Sequence, residues 1–230
     1  MKVLAIDTSN DVMGIAVLDG DKVAGEYITN IKKNHSVRLM PSVQRLLEET
    51  NIKPKELDKI VVANGPGSYT GVRIGVTVAK TLAWSLNIPL VGVSGLEALA
   101  YNGRYFNGKI APIFDARRGQ VFTGLYEWKD GQLTKVMEEK MVILADWVKE
   151  LKKLEEPILF LGNDVALHRE TIVSELEDAA ELPQMPQYNP RPSELAYTGL
   201  NKEAENIHGF VPNYLRLAEA EANWLKAQKN

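Results

Sequence analysis

Apolar positions along this chain change period several times, and the changes mark its elements. Residues 2–7, Lys-Val-Leu-Ala-Ile-Asp, form a short apolar run ending on a carboxylate, which predicts a buried strand. Apolar runs at 12–18 and 23–28 follow, joined by Asp19-Gly20. Asp-Gly between two such runs predicts a hairpin, because glycine takes a positive φ at no steric cost. The same order then returns. Residues 109–115, Lys-Ile-Ala-Pro-Ile-Phe-Asp, precede apolar runs at 121–126 and 133–137, the latter two separated by Asp130-Gly131. An echo about 108 residues apart predicts two lobes built on one duplicated α/β plan.

Helical periods follow the hairpins. Leu39, Met40, Val43, Leu46 and Leu47 form one face of a helix over 36–50, and Pro41 within it predicts a kink or restart. A strand at 60–63 runs into Asn64-Gly-Pro-Gly-Ser68, a helix covers 71–86, and a strand covers 89–93. Ser94 with Glu97 three residues on has the spacing of a capping box. The second half predicts a helix over 143–154, a strand over 157–161 stopping at Gly162-Asn-Asp164, and a helix over 165–176. Four prolines between 183 and 192 predict a semi-rigid loop, with Ser193 as the next N-cap and an amphipathic tail over 217–228. No Gly/Ser-rich linker divides the halves, so the lobes are expected to pack closely.

Composition narrows the function classes. At 230 residues the chain is one large or two small domains, and 45% hydrophobic with 25% charged residues is an ordinary globular balance. A net charge of −3 gives no support for holding nucleic acid alone, since phosphate binding needs clustered cations. The absence of cysteine removes disulfides, thiolate nucleophiles and Cys-ligated zinc, and fits a reducing compartment. The first apolar run meets Asp7 too soon for a signal peptide, and the longest uncharged run, 81–96, is too short and interrupted to span a bilayer. A cytoplasmic location without membrane contact is therefore expected.

Four segments carry candidate chemistry. Asp7-Thr8-Ser9 ends a strand, where it could hold a magnesium-bound phosphate or satisfy turn amides. Gly65-Pro-Gly-Ser-Tyr-Thr-Gly71 lies between strand and helix, where such loops either wrap an anion or make a tight turn capped by Ser68 or Thr70. It is no Walker loop, since Val72 and Arg73 follow the last glycine. Gly71, Gly75, Ala79 and Ala83, flanked by Val72, Val76, Val78 and Leu82, recur every four residues; this smooth stripe admits a strand of the same lobe or a helix of a partner. Asp115-Ala-Arg-Arg-Gly119 follows a strand, and in extended backbone only one of Arg117 and Arg118 would face a cleft. His35, His168 and His208 are isolated, no His-x-x-x-His pair exists, and no Gly-x-Ser-x-Gly elbow is present.

Leu4-Ala-Ile-Asp-Thr-Ser9, His35-Ser36, Gly65-Pro-Gly-Ser-Tyr-Thr-Gly-Val-Arg-Ile-Gly75, Ser94-Gly-Leu-Glu-Ala98, Asp115-Ala-Arg-Arg118 and Pro212-Asn-Tyr-Leu-Arg216, in that order, resemble the bacterial TsaB family, also called YeaZ. The resemblance spans nearly the whole chain, and the 65–75 segment with Asp-Ala-Arg-Arg is its most specific part. It implies a two-lobed fold of the actin, sugar-kinase and Hsp70 type (a duplicated RNase H-like plan). The first lobe would cover 1–103, joined by the tail from about 212 to 230, and a smaller second lobe 104–211. It implies a non-catalytic subunit in the synthesis of N6-threonylcarbamoyladenosine (t6A) in tRNA. In that family the partner TsaD carries the metal and transfers the threonylcarbamoyl group, and a small ATPase, TsaE, joins the assembly.

No cofactor or metal is then expected on this chain, tRNA is reached only indirectly, and the isolated chain pairs with itself through the surface that meets TsaD. That surface is implied to use Arg38, Leu39, Val43 and Leu46 of one helix and Gly71, Val72, Gly75, Val76, Ala79 and Ala83 of the other. Asp7, Ser9, Asp115 and Arg117 would mark a vestigial nucleotide cleft. The sequence departs from the TsaD-type metal site where Leu39, four residues after His35, replaces a second histidine, and from nucleotide-binding relatives where Arg117 and Arg118 put bulk in the second phosphate loop and where Gly162 stands beside Asn163 instead of a second glycine. An active ATP-dependent phosphotransferase, with Asp7 or Asp115 on the metal, is the alternative. A glycoprotease-like peptidase ranks last, since neither metal ligands nor a nucleophile–base pair are evident.

Overall fold

The computed structural model describes residues 1–31 and 34–215. Strands β1 (Lys2–Asp7), β2 (Met13–Asp19), β3 (Lys22–Thr29), β4 (Lys59–Ala63) and β5 (Leu90–Val93) form a sheet in the order β3-β2-β1-β4-β5. Strands β6 (Lys109–Arg117), β7 (Gln120–Lys129), β8 (Gln132–Ile143), β9 (Ile158–Leu161) and β10 (Ala180–Glu181) form a second, in the order β10-β9-β6-β7-β8. In each, the first strand is central, a hairpin lies to one side, and parallel strands lie to the other. The echo in the sequence is therefore an echo in topology. This is the duplicated two-lobed α/β architecture of the actin, sugar-kinase and Hsp70 type. Both hairpins close with two-residue turns where the Asp-Gly signals fall: Asp130-Gly131 between Lys129 and Gln132, and, one residue later than the signal, Gly20-Asp21 between Asp19 and Lys22. Asp130 (φ +52°) and Gly131 (φ +76°) are both left-handed, as a type I′ turn requires.

Strand alternation sorts the core. On β1, Leu4 and Ile6 face α1 (His35–Glu49) and α2 (Tyr69–Leu86), while Val3 and Ala5 face α6 (Pro192–Gly199). In the second lobe, Ala111 and Ile113 pack with Trp147 of α4 (Leu144–Lys152) and Ile172 of α5 (Val165–Leu176). A further cluster joins the lobes: Leu96 and Leu99 of α3 (Gly95–Ala100) bury themselves with Ile110, Phe114 and Tyr126. No described helix is long and apolar enough to cross a membrane.

Several expectations need correction. Pro41 lies inside an unbroken α1, with no restart. Ser94 caps α3 by accepting the Leu96 and Glu97 N–H groups (3.1 and 3.3 Å), but the Glu97 carboxylate takes Lys202 Nζ (2.6 Å) instead of closing the box. Ser193 is no N-cap: Arg191 holds that position, Pro192 opens the helix, and Ser193 donates through its N–H (2.9 Å) and hydroxyl (2.7 Å) to Glu26. Residues 192–210, grouped by sequence with the second lobe, pack instead on the first sheet. There Leu195 and Ala196 cover one face, Phe210 enters the core of the other, and the Glu205 N–H bonds Leu90 O. The amphipathic tail at 217–228 lies outside the described residues.

Candidate functional site

The ends of β1 and β6 face each other across a cleft of about 790 Å³. Its first wall is backbone packed on backbone. Ser9 O accepts the Ser68 N–H (2.7 Å), and the Thr8 hydroxyl donates to Gly71 O (2.7 Å). A Cβ on Gly67 would stand 2.1 Å from Ser9 O, on Gly71 2.2 Å from Thr8 O, and on Gly75 2.6 Å from Thr8 Oγ1. These glycines exist because the loop after β1 occupies the space a side chain would need. Ser68 caps α2 by accepting the Gly71 N–H (3.3 Å), and its carbonyl takes the Val72 N–H (2.8 Å). The Ser68, Gly71 and Val72 amides, which would cradle a phosphate in a nucleotide site, are thus already bonded. Asp7 is buried and accepts the Ser9 N–H (2.8 Å) and hydroxyl (2.7 Å). Burial pushes its carboxyl up from the ordinary aspartate range, and the Ser9 donors oppose this only in part. Of the open readings, the turn-satisfying one fits Asp7 and the capped-turn one fits 65–71.

The second wall is charged. A register shift between Asp115 and Arg117 bends the end of β6, and Arg117 pairs with Gln120 across a tight turn. Arg117 (φ +66°), Arg118 (φ +56°) and Gly119 (φ +71°) are all left-handed. The two arginines are therefore not extended, and both line the cleft. His168 Nε2 lies 3.1 Å from Asp115 Oδ1, and the Asp115 N–H donates to Asp164 Oδ2 (2.8 Å). Burial pushes the Asp164 carboxyl up; the bond from Asp115 N–H offsets part of this. At the rim, the Arg73 guanidinium stands 3.9 Å over the Tyr69 ring and donates to the Tyr214 hydroxyl (2.6 Å), with the two rings stacked 5.2 Å apart. Arg73 is thus held by tyrosines.

Of the four cleft candidates, Ser9, Asp115 and Arg117 line the cavity, whereas Asp7 sits behind Ser9 with its carboxylate turned onto it. Reading the sequence missed Asp164, His168, Tyr69 and Tyr214 as wall residues, and Arg73, which the sequence left open to an anion contact, is held by the two tyrosines. Tyr214 lies in the Pro-Asn-Tyr-Leu-Arg motif, the one signal that could have found it.

The helical candidates are also relocated. Leu39, Val43, Leu46, Val72, Val76, Ala79 and Ala83 are all buried in this chain's own core, and Gly71 and Gly75 face Thr8. Arg38 is half-buried and donates to Thr29 Oγ1 (3.2 Å) and Ile31 O (3.3 Å). The small-residue stripe therefore serves a close approach within the lobe. The outward faces of the same helices carry Val37 (68% exposed), Met40 (41%) and Trp84 (66%). Between α1 and α2 runs an apolar groove of about 610 Å³, reached by Met40, Leu82 and Leu86. His35 opens α1 with Nε2 3.0 Å from Asn10 O. Among the described residues, no group of three His, Cys, Asp or Glu is placed to hold a metal ion.

Comparison with known proteins gives one consistent family. A family model described as TsaD, tRNA N6-adenosine threonylcarbamoyltransferase, matches residues 22–224. A tRNA threonylcarbamoyladenosine biosynthesis protein TsaB from Bacillus subtilis is 59% identical over 229 residues, covering 100% of both chains. A crystal structure from Pseudomonas aeruginosa, described as similar to the peptidase YeaZ, superimposes with a TM-score of 0.77 at 25% identity, covering 94% of this chain and 99% of that one. The ethanolamine utilization protein EutJ from Carboxydothermus hydrogenoformans shares the fold alone, at a TM-score of 0.50 and 13% identity over 86% of this chain and 90% of its own.

Proposed function

Because the chain belongs to the TsaB family of tRNA threonylcarbamoyladenosine biosynthesis proteins, we propose that its part in t6A synthesis is to bind and organise a TsaD-type transferase, not to catalyse a step. The observation that carries this reading is the outward face of α1 and α2. Val37, Met40 and Trp84 are large apolar side chains exposed on these two helices, Met40 also reaching the apolar groove between them, and exposed apolar surface of this kind marks a contact site. The inward stripe supports the same reading at one remove. By letting α2 lie directly on the loop after β1, it makes the two helices a rigid platform.

The first wall of the cleft supports the non-catalytic half of the proposal. Phosphoryl transfer needs donors aimed at the phosphates and a carboxylate for magnesium. Here the Ser68, Gly71 and Val72 amides are bonded within the protein and Asp7 is turned onto Ser9. In this reading the isolated chain forms a homodimer through the same face, exchanges it for the TsaD-type partner in the cytoplasm, and meets a TsaE-type ATPase and tRNA only within that assembly.

Size-exclusion chromatography with light scattering, on the chain alone and mixed with its cognate TsaD-type protein, tests this. The expected result is a homodimer that converts into a mixed complex. A chain that ignores the TsaD-type protein would overturn the proposal.

A further inference from the structure

Arg117 and Arg118 occupy the costliest backbone of the cleft. Consecutive left-handed residues crowd each Cβ against the following carbonyl, and turns of this kind normally use Gly or Asn, as Asp130-Gly131 partly does. Among the described residues neither guanidinium holds a carboxylate, whereas Arg45, Arg104 and Arg191 each pair with a glutamate. Backbone strain of this kind persists only where the surrounding structure over-determines it, and it clusters at ligand-holding sites. Both arginines line the cleft, and Phe114, Phe122 and Leu167 give the same cavity an apolar lining.

We propose that the interlobe cleft binds an organic monocarboxylate, its carboxylate gripped by Arg117 and Arg118 and its apolar body laid on Phe114, Phe122 and Leu167. Guanidinium forks match the planar carboxylate, each able to give two parallel hydrogen bonds. A polyanion fits worse. Asp115 and Asp164 line the same cavity and repel every added negative charge. The Ser68 and Gly71 amides across the cleft, which would serve a phosphate, are already bonded. The site is independent of the α1–α2 face, so the proposal stands or falls apart from partner binding.

The test uses three probes on the full chain, by calorimetry or ligand-observed NMR: N-acetylphenylalanine, its amide, and phenyl phosphate. The acid should bind at least about tenfold tighter than the amide, which has no charge and puts an N–H donor where the carboxylate has its second acceptor. Arg117→Gly and Arg118→Gly should each erase that preference while raising the melting temperature, because glycine relaxes the left-handed turn. A merely structural arginine would lower the melting temperature when replaced. Equal binding of acid and amide, no binding of either at millimolar concentration, tighter binding of phenyl phosphate, or glycine variants that melt lower would each overturn the proposal.

Discussion

The two walls of the cleft come from equivalent places in two lobes of one plan, and they have been built in opposite ways. In the first lobe, the loop after β4 reaches the end of β1 with its amide: the Ser68 N–H bonds Ser9 O, and glycines let backbone lie on backbone. In the second lobe, the loop after β9 reaches the end of β6 with a carboxylate: Asp164 accepts the Asp115 N–H. One wall is thereby closed by its own backbone, with Asp11 as its carboxylate on the cavity; the other keeps Asp115, Asp164 and two arginines there. Strand order fixes where the ends of β1 and β6 meet, but not what they hold. A duplicated fold can keep its topology while one copy of its ligand apparatus is filled in by its own backbone.

The largest way to break this contrast is to push the closed wall apart. Gly71→Val should cost about 3 kcal/mol or more, since even its Cβ would meet Thr8 O at 2.2 Å and no flexible side chain can yield there. Urea unfolding measures it, and parent-like stability would mean that the wall is not rigid. Gly75→Leu should behave alike, so its loss of partner binding would say nothing of an interface. On the charged wall, Asp164→Ala should cost about 1–2 kcal/mol by leaving the Asp115 N–H without its acceptor, with Asp164→Asn recovering most of it.

The smallest effect belongs to Asp7. Burial raises its carboxyl, so the stability it contributes is present below the ordinary aspartate range and is lost as pH rises through the folded value. Asp7→Asn keeps an acceptor for Ser9 without a charge. Its stability should stay within about 1 kcal/mol of the parent at neutral pH and should fall less between acid and neutral pH. A large loss at neutral pH would show that the first wall depends on a buried charge.

Much of this was readable in advance, and the exceptions share a cause. The strands and hairpins were visible because alternation and Asp-Gly act within a few residues. The stripe at Gly71 and Gly75 correctly announced a close approach, but its neighbour, Thr8, lies 63 residues earlier than Gly71, so the local pattern named no neighbour and the family resemblance drew the stripe to a partner. Ser193 looked like a cap because nothing local reveals Glu26, 167 residues away. The arginines were expected on opposite sides because extended backbone was assumed, and the bulge before Arg117 cancels that assumption. The buried faces of α1 and α2 were likewise readable as apolar, while which of their residues point outward depended on how the helices settle on the sheet.

The central claim is that the outward faces of α1 and α2 hold the TsaD-type partner. Its most direct test is the dissociation constant for that partner, measured for the parent and for Trp84→Glu. Trp84 is 66% exposed, so the substitution should leave the far-ultraviolet spectrum and melting temperature unchanged. The account predicts binding weakened at least about a hundredfold, the size expected when a charge replaces an aromatic anchor. Binding at parental strength by a folded Trp84→Glu variant would contradict it.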